Sequence, residues 1–274
     1  MQNVDVTDRV WEHLLAIRSG KACACCGGTW SAGERGALDL YAPLARRDLG
    51  PVVVAQIGQS LDGRVATVSG DASDVSGPDG HAHLHRMRAL VDGVVIGIGT
   101  ALHDNPRLTV RLCAGPSPAR IVIDSKARLP DDAPVLRADG TRSIIVQGVD
   151  RPRPKHVEVL RLPLIDGKFK PETVLQVLRK AGLKSLLIEG GGITIAHFLD
   201  ADELCRLQVA VSPLLIGSGP IALTRSIQQA KLADCLRPDT RVFGLGSDVV
   251  FDCGLTPAAH AATVPQHPAR IGVS

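Results

Sequence analysis

Glycines and single polar residues directly follow several short apolar runs of this 274-residue chain. The segment Gly97-Ile98-Gly99-Thr100 follows one run, and Glu189-Gly190-Gly191-Gly192 follows another. Glycines let a ligand approach the backbone closely, and free amides at the start of a following helix attract phosphate. The three consecutive glycines therefore predict an anion site, with a ligand-free connector as the alternative. The shorter segment fits phosphate binding at Thr100 or simply a capped helix.

Two further segments carry groups that suit a nucleotide cofactor. Ser125-Lys126-Ala127-Arg128 follows an apolar run, and its hydroxyl and cationic groups suit a ribose and its 2′-phosphate. The stretch from Gly58 to Arg64 presents backbone donors beside the carboxylate of Asp62. A solvated turn explains the first segment almost as well, and a tight turn capped by Asp62 explains the second.

Charged residues near these segments suggest contacts with a polar substrate. Asp104 and Arg111 follow Thr100 within a short stretch, where they face a substrate or form a surface salt bridge. Glu189 ends an apolar run at a place where packing needs no carboxylate. It therefore indicates contact with a hydroxyl or amine group of a ligand.

The cysteines and histidines predict no metal site. Cys23-Ala24-Cys25-Cys26 has no second Cys or His pair at zinc-finger spacing, so local packing or a redox-labile turn is expected there. His81, His83 and His85 alternate without the Glu of a His-Glu-x-x-His arrangement, and we expect them at the surface. The signatures of serine hydrolases, P-loop proteins and zinc deaminases are also missing.

Composition excludes several classes of function. The 31 basic and 28 acidic residues leave a net charge of +3, and only 3% of residues are aromatic, so no nucleic-acid partner is expected. No apolar run is long enough to span a bilayer and no signal peptide is evident, so we expect no membrane partner and a cytoplasmic location. A small phosphorylated ligand remains compatible, because a few arginines suffice for a phosphate.

The apolar runs predict the elements that position these groups. They suit strands buried on both faces, and Pro78 and Pro171 each begin a helical pattern, as in an α/β fold with a mainly parallel central sheet flanked by helices. Residues 205–212 alternate as a strand with one covered and one more polar face. Val242–Leu245 and Val249–Phe251 predict a C-terminal β-hairpin. The runs are Val52–Ala55, Gly93–Ile98, Ile121–Ile123, Ile144–Val146 and Leu186–Ile188.

The ends of the chain differ from its middle. Residues 1–50 contain one helical pattern, Val10–Ile17, followed by a Gly-, Cys- and Arg-rich passage. We expect an N-terminal extension that packs on the main domain or on a partner subunit. Residues 51–254 form the expected main domain, and residues 255–274 lack periodicity and are expected to form a disordered tail.

Taken in order, these segments resemble the reductase domain that many bacteria fuse behind a deaminase domain in riboflavin biosynthesis. The resemblance covers about residues 51–253. The matching segments are Ser60-Leu61-Asp62-Gly63, Arg86-Met87-Arg88-Ala89, Gly97-Ile98-Gly99-Thr100, Asp104-Asn105-Pro106-Arg107-Leu108-Thr109, Glu189-Gly190-Gly191-Gly192, Ala201-Asp202-Glu203-Leu204 and Ser212-Pro213-Leu214-Leu215-Ile216-Gly217. The resemblance implies a dihydrofolate-reductase-like fold, a homodimer, and NADPH-dependent reduction of the ribosyl group of an aminopyrimidine phosphate to ribityl.

The same resemblance implies roles for particular residues. The expected NADPH-binding residues are Gly58, Thr100, Asp104, Ser125 and the Gly191–His197 loop, with Gly191, Gly192, Ile193 and Thr194. The expected substrate-binding residues are Arg88, Leu108, Arg111 and Glu189. Asp104 and Glu189 are the expected catalytic residues, because hydride transfer needs alignment and a proton but no protein nucleophile.

Two departures from the family pattern concern the substrate. Gln56 stands where the family commonly has Lys, and Ala72–Ser76 replaces a Ser-x-Trp-Ile-Thr stretch. Two alternatives to the pyrimidine substrate therefore stay open. One is an NADPH reductase of a pterin or another heterocyclic carbonyl or imine, and the other is a nucleotide-binding protein without catalysis.

Overall fold

A computed structural model describes residues 1–22 and 28–255 of the chain. Within these residues, ten strands form one sheet in the order β1-β9-β10-β8-β2-β7-β3-β4-β5-β6. Strand β10 is antiparallel to both neighbours, and the other pairs are parallel. The strands are β1 (Gln2–Asn3), β2 (Val52–Ser60), β3 (Gly93–Gly97), β4 (Ala119–Ile123), β5 (Ser143–Gln147), β6 (Val157–Arg161), β7 (Ser185–Glu189), β8 (Arg206–Ser212), β9 (Asp239–Leu245) and β10 (Asp248–Gly254).

Helices cover both faces of this sheet. They are α1 (Asp8–Arg18), α2 (Ala32–Ala45), α3 (Pro78–Leu90), α4 (Ile98–His103), α5 (Pro171–Lys180) and α6 (Gly192–Asp200). One apolar core lies between the sheet and α1, α2 and α3, and a second lies between the sheet and α5 and α6. Alternate residues of β2 enter opposite cores, with Val54 in the first and Val53 in the second. Continuous apolar runs are needed because the central strands are buried on both faces.

Residues 1–50 are not isolated from the rest of the molecule. The side chains of Trp11, Leu14 and Tyr41 are buried in the first core, and β1 pairs with the sheet edge at β9. Trp11 Nε1 also donates a hydrogen bond of 2.8 Å to the carbonyl oxygen of Ala114. The segment therefore covers one face and one edge of the sheet in its own chain.

Helix α2 was not predicted, because Gly33, Gly36 and Pro43 all disfavour helices. Tertiary contacts stabilise it instead. A Cβ at Gly36 would lie 2.1 Å from the carbonyl oxygen of Asn3, so glycine allows the helix to approach β1. Ser31 and Glu34 form a capping box that satisfies the amides at its N-terminus.

The prediction for β8 is wrong in one respect. The more polar face of the strand was expected to be the less covered one, but it is the face that is buried more deeply. Gln208 and Ser212 on that face are almost inaccessible to solvent. Gln208 Nε2 donates to Asp252 Oδ1 at 3.2 Å, and Ser212 Oγ donates to Asp248 Oδ1 at 3.0 Å. Carboxylates on β10 thus satisfy polar groups that would otherwise be costly to bury.

Most predicted elements are present at the expected places, including the hairpin of β9 and β10 and the helices beginning at Pro78 and Pro171. The prediction of surface histidines is wrong, because His83 and His85 are buried on α3. The Cys23–Cys26 turn and residues 256–274 of the predicted tail lie outside the described residues. Among the described residues, no helix is long and apolar enough to cross a membrane.

Parallel strands bring the predicted site segments to one edge. In the register of the sheet, Gln56 of β2 pairs with Glu189 of β7, and Gly97 of β3 pairs with Ile123 of β4. The carboxyl ends of these neighbouring strands therefore open at the same edge, which is where α/β proteins bind ligands.

Candidate active site

Two adjoining cavities open at this edge of the sheet. The larger, here called the groove, has a volume of about 600 Å³, and the smaller, here called the inner pocket, has about 410 Å³. The two share the lining residues Val65, Gly99, Thr100, Gly191, Gly192 and Pro220. A ligand in the groove therefore reaches a second ligand in the inner pocket at these shared residues.

The glycine segments form the centre of the groove. Thr100 Oγ1 accepts a hydrogen bond of 3.0 Å from the amide of Gly191, which ties the end of β3 to the end of β7. A Cβ at Gly97 would lie 2.3 Å from Thr194 Oγ1, and one at Gly190 would lie 2.6 Å from Thr100 Cγ2. Glycine is therefore required for this close approach, and Gly190 also has a φ of +75°.

The start of α6 offers free backbone donors to the groove. Its N-cap, Gly191, provides no side-chain cap, so the first amides of the helix remain open to a ligand. Ser125 and Arg128 line the groove beyond β4, and Lys168 lines it from the loop before α5. The groove thus combines amide donors with a hydroxyl and two cations.

A buried ion pair lies in the wall of the inner pocket. Arg88 of α3 donates from Nε to Glu189 Oε1 at 2.8 Å and from Nη2 to Glu189 Oε2 at 2.6 Å. Burial opposes the charge of Arg88, but the carboxylate of Glu189 outweighs it, and the pKa of Arg88 is raised. Arg88 Nη1 also donates to the carbonyl oxygen of Thr109 at 3.3 Å. The predicted substrate residues Arg88 and Glu189 therefore contact each other.

Asp104 and Leu108 complete this wall. Asp104 ends α4, lies about half exposed at the inner pocket, and has Oδ1 2.8 Å from Nδ1 of the neighbouring His103. Leu108 is buried with a φ of +52°, an uncommon backbone conformation for a branched side chain. This turn points Leu108 into the inner pocket.

The structure brings together most of the predicted site residues, but not Arg111. Arg111 donates from its backbone amide to His85 Nδ1 at 2.8 Å and from Nη1 to Thr109 Oγ1 at 2.9 Å. Its side chain lines a separate cavity. The groove and the inner pocket are together called the cleft. The predicted residues that line it are Gly58, Arg88, Thr100, Asp104, Leu108, Ser125, Glu189, Gly191, Gly192, Ile193 and Thr194.

Asp62 does not line the cleft. Its carboxylate accepts hydrogen bonds from Ser60 Oγ at 2.6 Å and from the amides of Ile216 and Gly217 at 3.1 and 2.6 Å. These bonds, with that from Ser60 foremost, lower the pKa of Asp62 to about 2. Asp62 therefore ties the loop after β2 to the loop after β8, which extends the tight turn that the sequence suggested.

Several residues that line the cleft escaped sequence reasoning. Gln56 is buried in the wall of the inner pocket, and Val65 and Pro220 face both cavities. His197 of α6, which ends the expected Gly191–His197 loop, also lines the groove, and its burial and then the nearby Lys168 lower its pKa. Gln56 was noted only as a departure from a family pattern, and Val65 and Pro220 carry no local signal in the sequence.

Metal binding has no support in the described part of the chain. No group of three or more His, Cys, Asp or Glu residues there is placed to hold an ion.

The groove and the inner pocket lie at the carboxyl ends of parallel strands, which is where α/β proteins commonly have their ligand sites. The sequence model of the RibD C-terminal domain matches residues 51–249, and the chain belongs to this family. The predicted family is therefore confirmed.

Two relatives of different length illustrate the family. The chain is 31% identical over 213 residues to the 2,5-diamino-6-ribosylamino-4(3H)-pyrimidinone 5′-phosphate reductase of Methanothermobacter thermautotrophicus, with 74% of this chain and 97% of that protein covered. It is 27% identical over 175 residues to the riboflavin biosynthesis protein RibD of Aquifex aeolicus, with 62% of this chain but only 48% of that protein covered. The chain thus spans almost the whole reductase and about half of the longer RibD protein.

Solved structures agree with the predicted fold. The deaminase/5-amino-6-(5-phosphoribosylamino)uracil reductase of Thermotoga maritima superposes with a TM-score of 0.66 at 25% identity, covering 81% of this chain and 62% of that one. The yeast riboflavin biosynthesis reductase Rib7 superposes with a TM-score of 0.61 at 25% identity, covering 76% and 90%. The α/β fold with a mainly parallel sheet and a terminal hairpin is confirmed, and these names agree with an oxidoreductase.

Proposed function

We propose that this protein uses NADPH to reduce the ribosyl group of an aminopyrimidine ribosyl phosphate to ribityl. The observation that carries the proposal is the meeting of the groove and the inner pocket at Gly99, Thr100 and Gly191–Gly192. This junction lies beside the Arg88–Glu189 pair. The chain also resembles a pyrimidinone phosphate reductase over 97% of the length of that relative.

The groove fits an extended dinucleotide. The free amides at the start of α6 suit a pyrophosphate, and glycine at Gly97 and Gly190 leaves room for it beside the backbone. Ser125, Arg128 and Lys168 supply the hydroxyl and cations that a ribose 2′-phosphate requires. We therefore assign NADPH to the groove, where it supplies the hydride.

The inner pocket holds the substrate by its polar groups. Each oxygen of Glu189 accepts one bond from Arg88 and retains a lone pair for a substrate hydroxyl or amine. Arg88 retains N–H donors for the substrate phosphate, and Leu108 packs against the apolar part. Arg111 is left out of this set because its side chain faces another cavity.

The reduction also requires one proton. Reduction of the ring-opened imine form of the ribosylamine adds a hydride to carbon and a proton to nitrogen. We assign the proton to Asp104, because its carboxyl group lies on the pocket wall near the shared residues and contacts His103 Nδ1. Glu189 is already committed to the guanidinium of Arg88.

We also propose that the protein is a homodimer and that it is located in the cytoplasm. The loop between β8 and β9 exposes the large apolar side chains Leu215, Leu232 and Leu236. Apolar side chains concentrated on one exposed segment are typical of a protein interface. We expect a homodimer in sedimentation, and expect Leu215→Glu with Leu232→Glu to give a folded monomer; an unchanged mass would show that this loop is not the interface.

The proposal is tested by the oxidation of NADPH with purified full-length protein. The assay uses the two pyrimidines named for the relatives, the diaminopyrimidinone and the aminouracil ribosyl phosphates. Turnover of either one supports the proposal and identifies the substrate. Tight NADPH binding without turnover of either pyrimidine overturns the proposal. Turnover of a pterin instead would show that the protein is a reductase of a heterocyclic carbonyl or imine. Absence of NADPH binding overturns both readings.

A further inference from the structure

The loop that follows β4 is held from behind by two arginines. This loop, here called the cofactor loop, is residues 124–129, and it carries Arg128 to the groove. The carbonyl oxygens of Ala127 and Leu129, on either side of Arg128, accept hydrogen bonds of 2.7 and 3.0 Å from Arg151 Nη1. The backbone of Arg128 is therefore fixed on both sides by a single guanidinium group.

The second arginine supports the same loop from within the protein. Arg153 is buried, and its Nη1 donates to the carbonyl oxygen of Leu129 at 2.6 Å and to Asp131 Oδ1 at 2.8 Å. Its Nη2 lies 3.3 Å from Oδ2 of the buried Asp124, which also accepts from the amide of Leu129 at 2.7 Å. Because Asp124 directly precedes Ser125, this ion pair compensates a negative charge that would otherwise repel a phosphate in the groove.

The sequence around the two arginines explains why both face the cofactor loop. Arg151 and Arg153 each precede a proline, which favours an extended backbone, and residues two apart in an extended segment point to the same side. Gln147, at the end of β5, anchors this segment. Its Nε2 donates to the carbonyl oxygen of Arg151 at 2.8 Å, and its Oε1 accepts from Arg153 Nε at 3.1 Å. The end of β5 thus supports the loop after β4 through these arginines.

The conformation of the cofactor loop depends on such support. Ala127 has a φ of +50°, which is uncommon for a residue with a side chain and persists only where surrounding contacts hold it. Arg151 and Arg153 are not among the residues that line the groove or the inner pocket, so they act on a ligand only through the loop. Of the groups on a dinucleotide, the ribose 2′-phosphate is the one that requires the guanidinium of Arg128.

We propose that Arg151, supported by Arg153, is a positioning residue that gives the groove its preference for a dinucleotide with a 2′-phosphate. This inference rests on the proposed function, because it places a dinucleotide in the groove. By holding the carbonyl oxygens on either side of Arg128, Arg151 keeps that guanidinium beside the phosphate. A dinucleotide without the 2′-phosphate does not need Arg128, and its affinity is therefore independent of Arg151.

Calorimetric titration of the full-length protein with NADP+ and with NAD+ tests this role. Arg151→Gln removes both hydrogen bonds to the carbonyl oxygens around Arg128 but keeps the buried pair of Arg153 and Asp124. We expect NADP+ to bind at least about tenfold more weakly, the loss typical of a charge-assisted hydrogen bond, and NAD+ to bind with unchanged affinity. The matched control is Arg142→Gln, which removes an arginine that pairs with a carboxylate and donates to a carbonyl oxygen at the opposite end of β5. It leaves both affinities unchanged.

A second variant separates geometry from charge. Arg151→Lys keeps the positive charge, but an ammonium group cannot reproduce the guanidinium fork that joins two carbonyl oxygens and Asp131. We therefore expect it to bind NADP+ as weakly as Arg151→Gln does.

Three results would overturn the proposal on its own. They are full NADP+ affinity in Arg151→Lys, which would show that charge alone attracts the phosphate, full NADP+ affinity in Arg151→Gln, and equal losses of NADP+ and NAD+ affinity in Arg151→Gln, which would show a general structural role. An unmodified protein that binds neither dinucleotide would overturn the proposed function and this inference together.

Discussion

The pairing of Arg88 with Glu189 shows how one contact joins the ligand site to the core. Both side chains are at least about nine-tenths buried, so each charge depends on the other as well as on a ligand. Breaking such a pair leaves an uncompensated buried charge, which costs about 3–5 kcal/mol. Their effects on stability and on substrate use must therefore be separated in any experiment.

Glu189→Gln is expected to reduce kcat/KM for the pyrimidine substrate by about 100-fold or more, because it replaces one of the two acceptor oxygens by an NH2 group and leaves the buried charge of Arg88 without a counter-ion. The NADPH dissociation constant changes little, because Glu189 lines only the inner pocket. The control is Arg88→Met combined with Glu189→Gln, which removes both charges. It should regain stability in urea unfolding without regaining activity, and equal losses for NADPH and substrate would show that Glu189 is misplaced.

Asp104→Asn tests the source of the proton. The amide keeps the shape of the side chain but cannot deliver a proton, so kcat is expected to fall by about 10²–10⁴-fold. Substrate KM should change far less. His103→Gln, which removes the neighbouring imidazole, should have a smaller effect on kcat. A kcat within a fewfold of the unmodified enzyme in Asp104→Asn would assign the proton to water.

At the residue scale, the sequence predicted those site residues that combine a local signal with a strand end. Thr100, Glu189 and Gly191 are of this kind, because glycine and a polar residue directly follow an apolar run. Val65 and Pro220 come from loops that are 155 residues apart, joined where Arg64 donates to the carbonyl of Gly219. No local pattern encodes a meeting of that kind.

At the scale of elements, the N-terminal helices support the substrate side of the cleft. Helix α2 contacts α3 through the hydrogen bond of 2.8 Å between the Tyr41 hydroxyl and His83 Nδ1, and α3 carries Arg88. Arg18 and Arg47 donate to the carbonyls of Val91 and Leu90 at the end of α3. Most strands and helices of residues 51–254 follow from hydrophobic pattern, although β6 was not predicted. Helix α2 depends on contacts that a pattern cannot show.

Gly36→Ala measures this dependence on contacts. By intrinsic propensity alone, alanine stabilises a helix by about 1 kcal/mol relative to glycine. The new Cβ would meet the carbonyl oxygen of Asn3 at 2.1 Å, and this backbone atom cannot move without separating β1 from α2. The cost of this clash exceeds the gain in helix propensity, and we therefore expect a loss of about 1–3 kcal/mol in the free energy of unfolding by urea. A more stable variant would show that β1 does not pack against α2.

At the scale of the whole molecule, buried histidines link stability to pH. Burial, and then the nearby charge of Arg86, lower the pKa of His83 to about 4. Burial also lowers the pKa of His85 to about 4, with Arg88 and Arg111 adding to the effect. Both histidines are therefore neutral in the folded protein under conditions where an unfolded chain already begins to bind protons.

The sign of the pH effect follows from where each state binds protons. Between a pKa of about 6.5 in the unfolded chain and about 4 in the folded protein, the unfolded state holds more protons. The contribution of these histidines to the free energy of unfolding is therefore fully present above about pH 6.5, and it is lost as the pH is lowered towards 4. Each histidine contributes a slope of at most about 1.4 kcal/mol per pH unit. Urea unfolding at pH 7 and pH 5 should show a smaller difference for His83→Gln than for the unmodified protein, even if the variant is less stable at both values. Equal differences would show that His83 already accepts a proton in the folded state, and the neutral contact with Tyr41 would then be wrong.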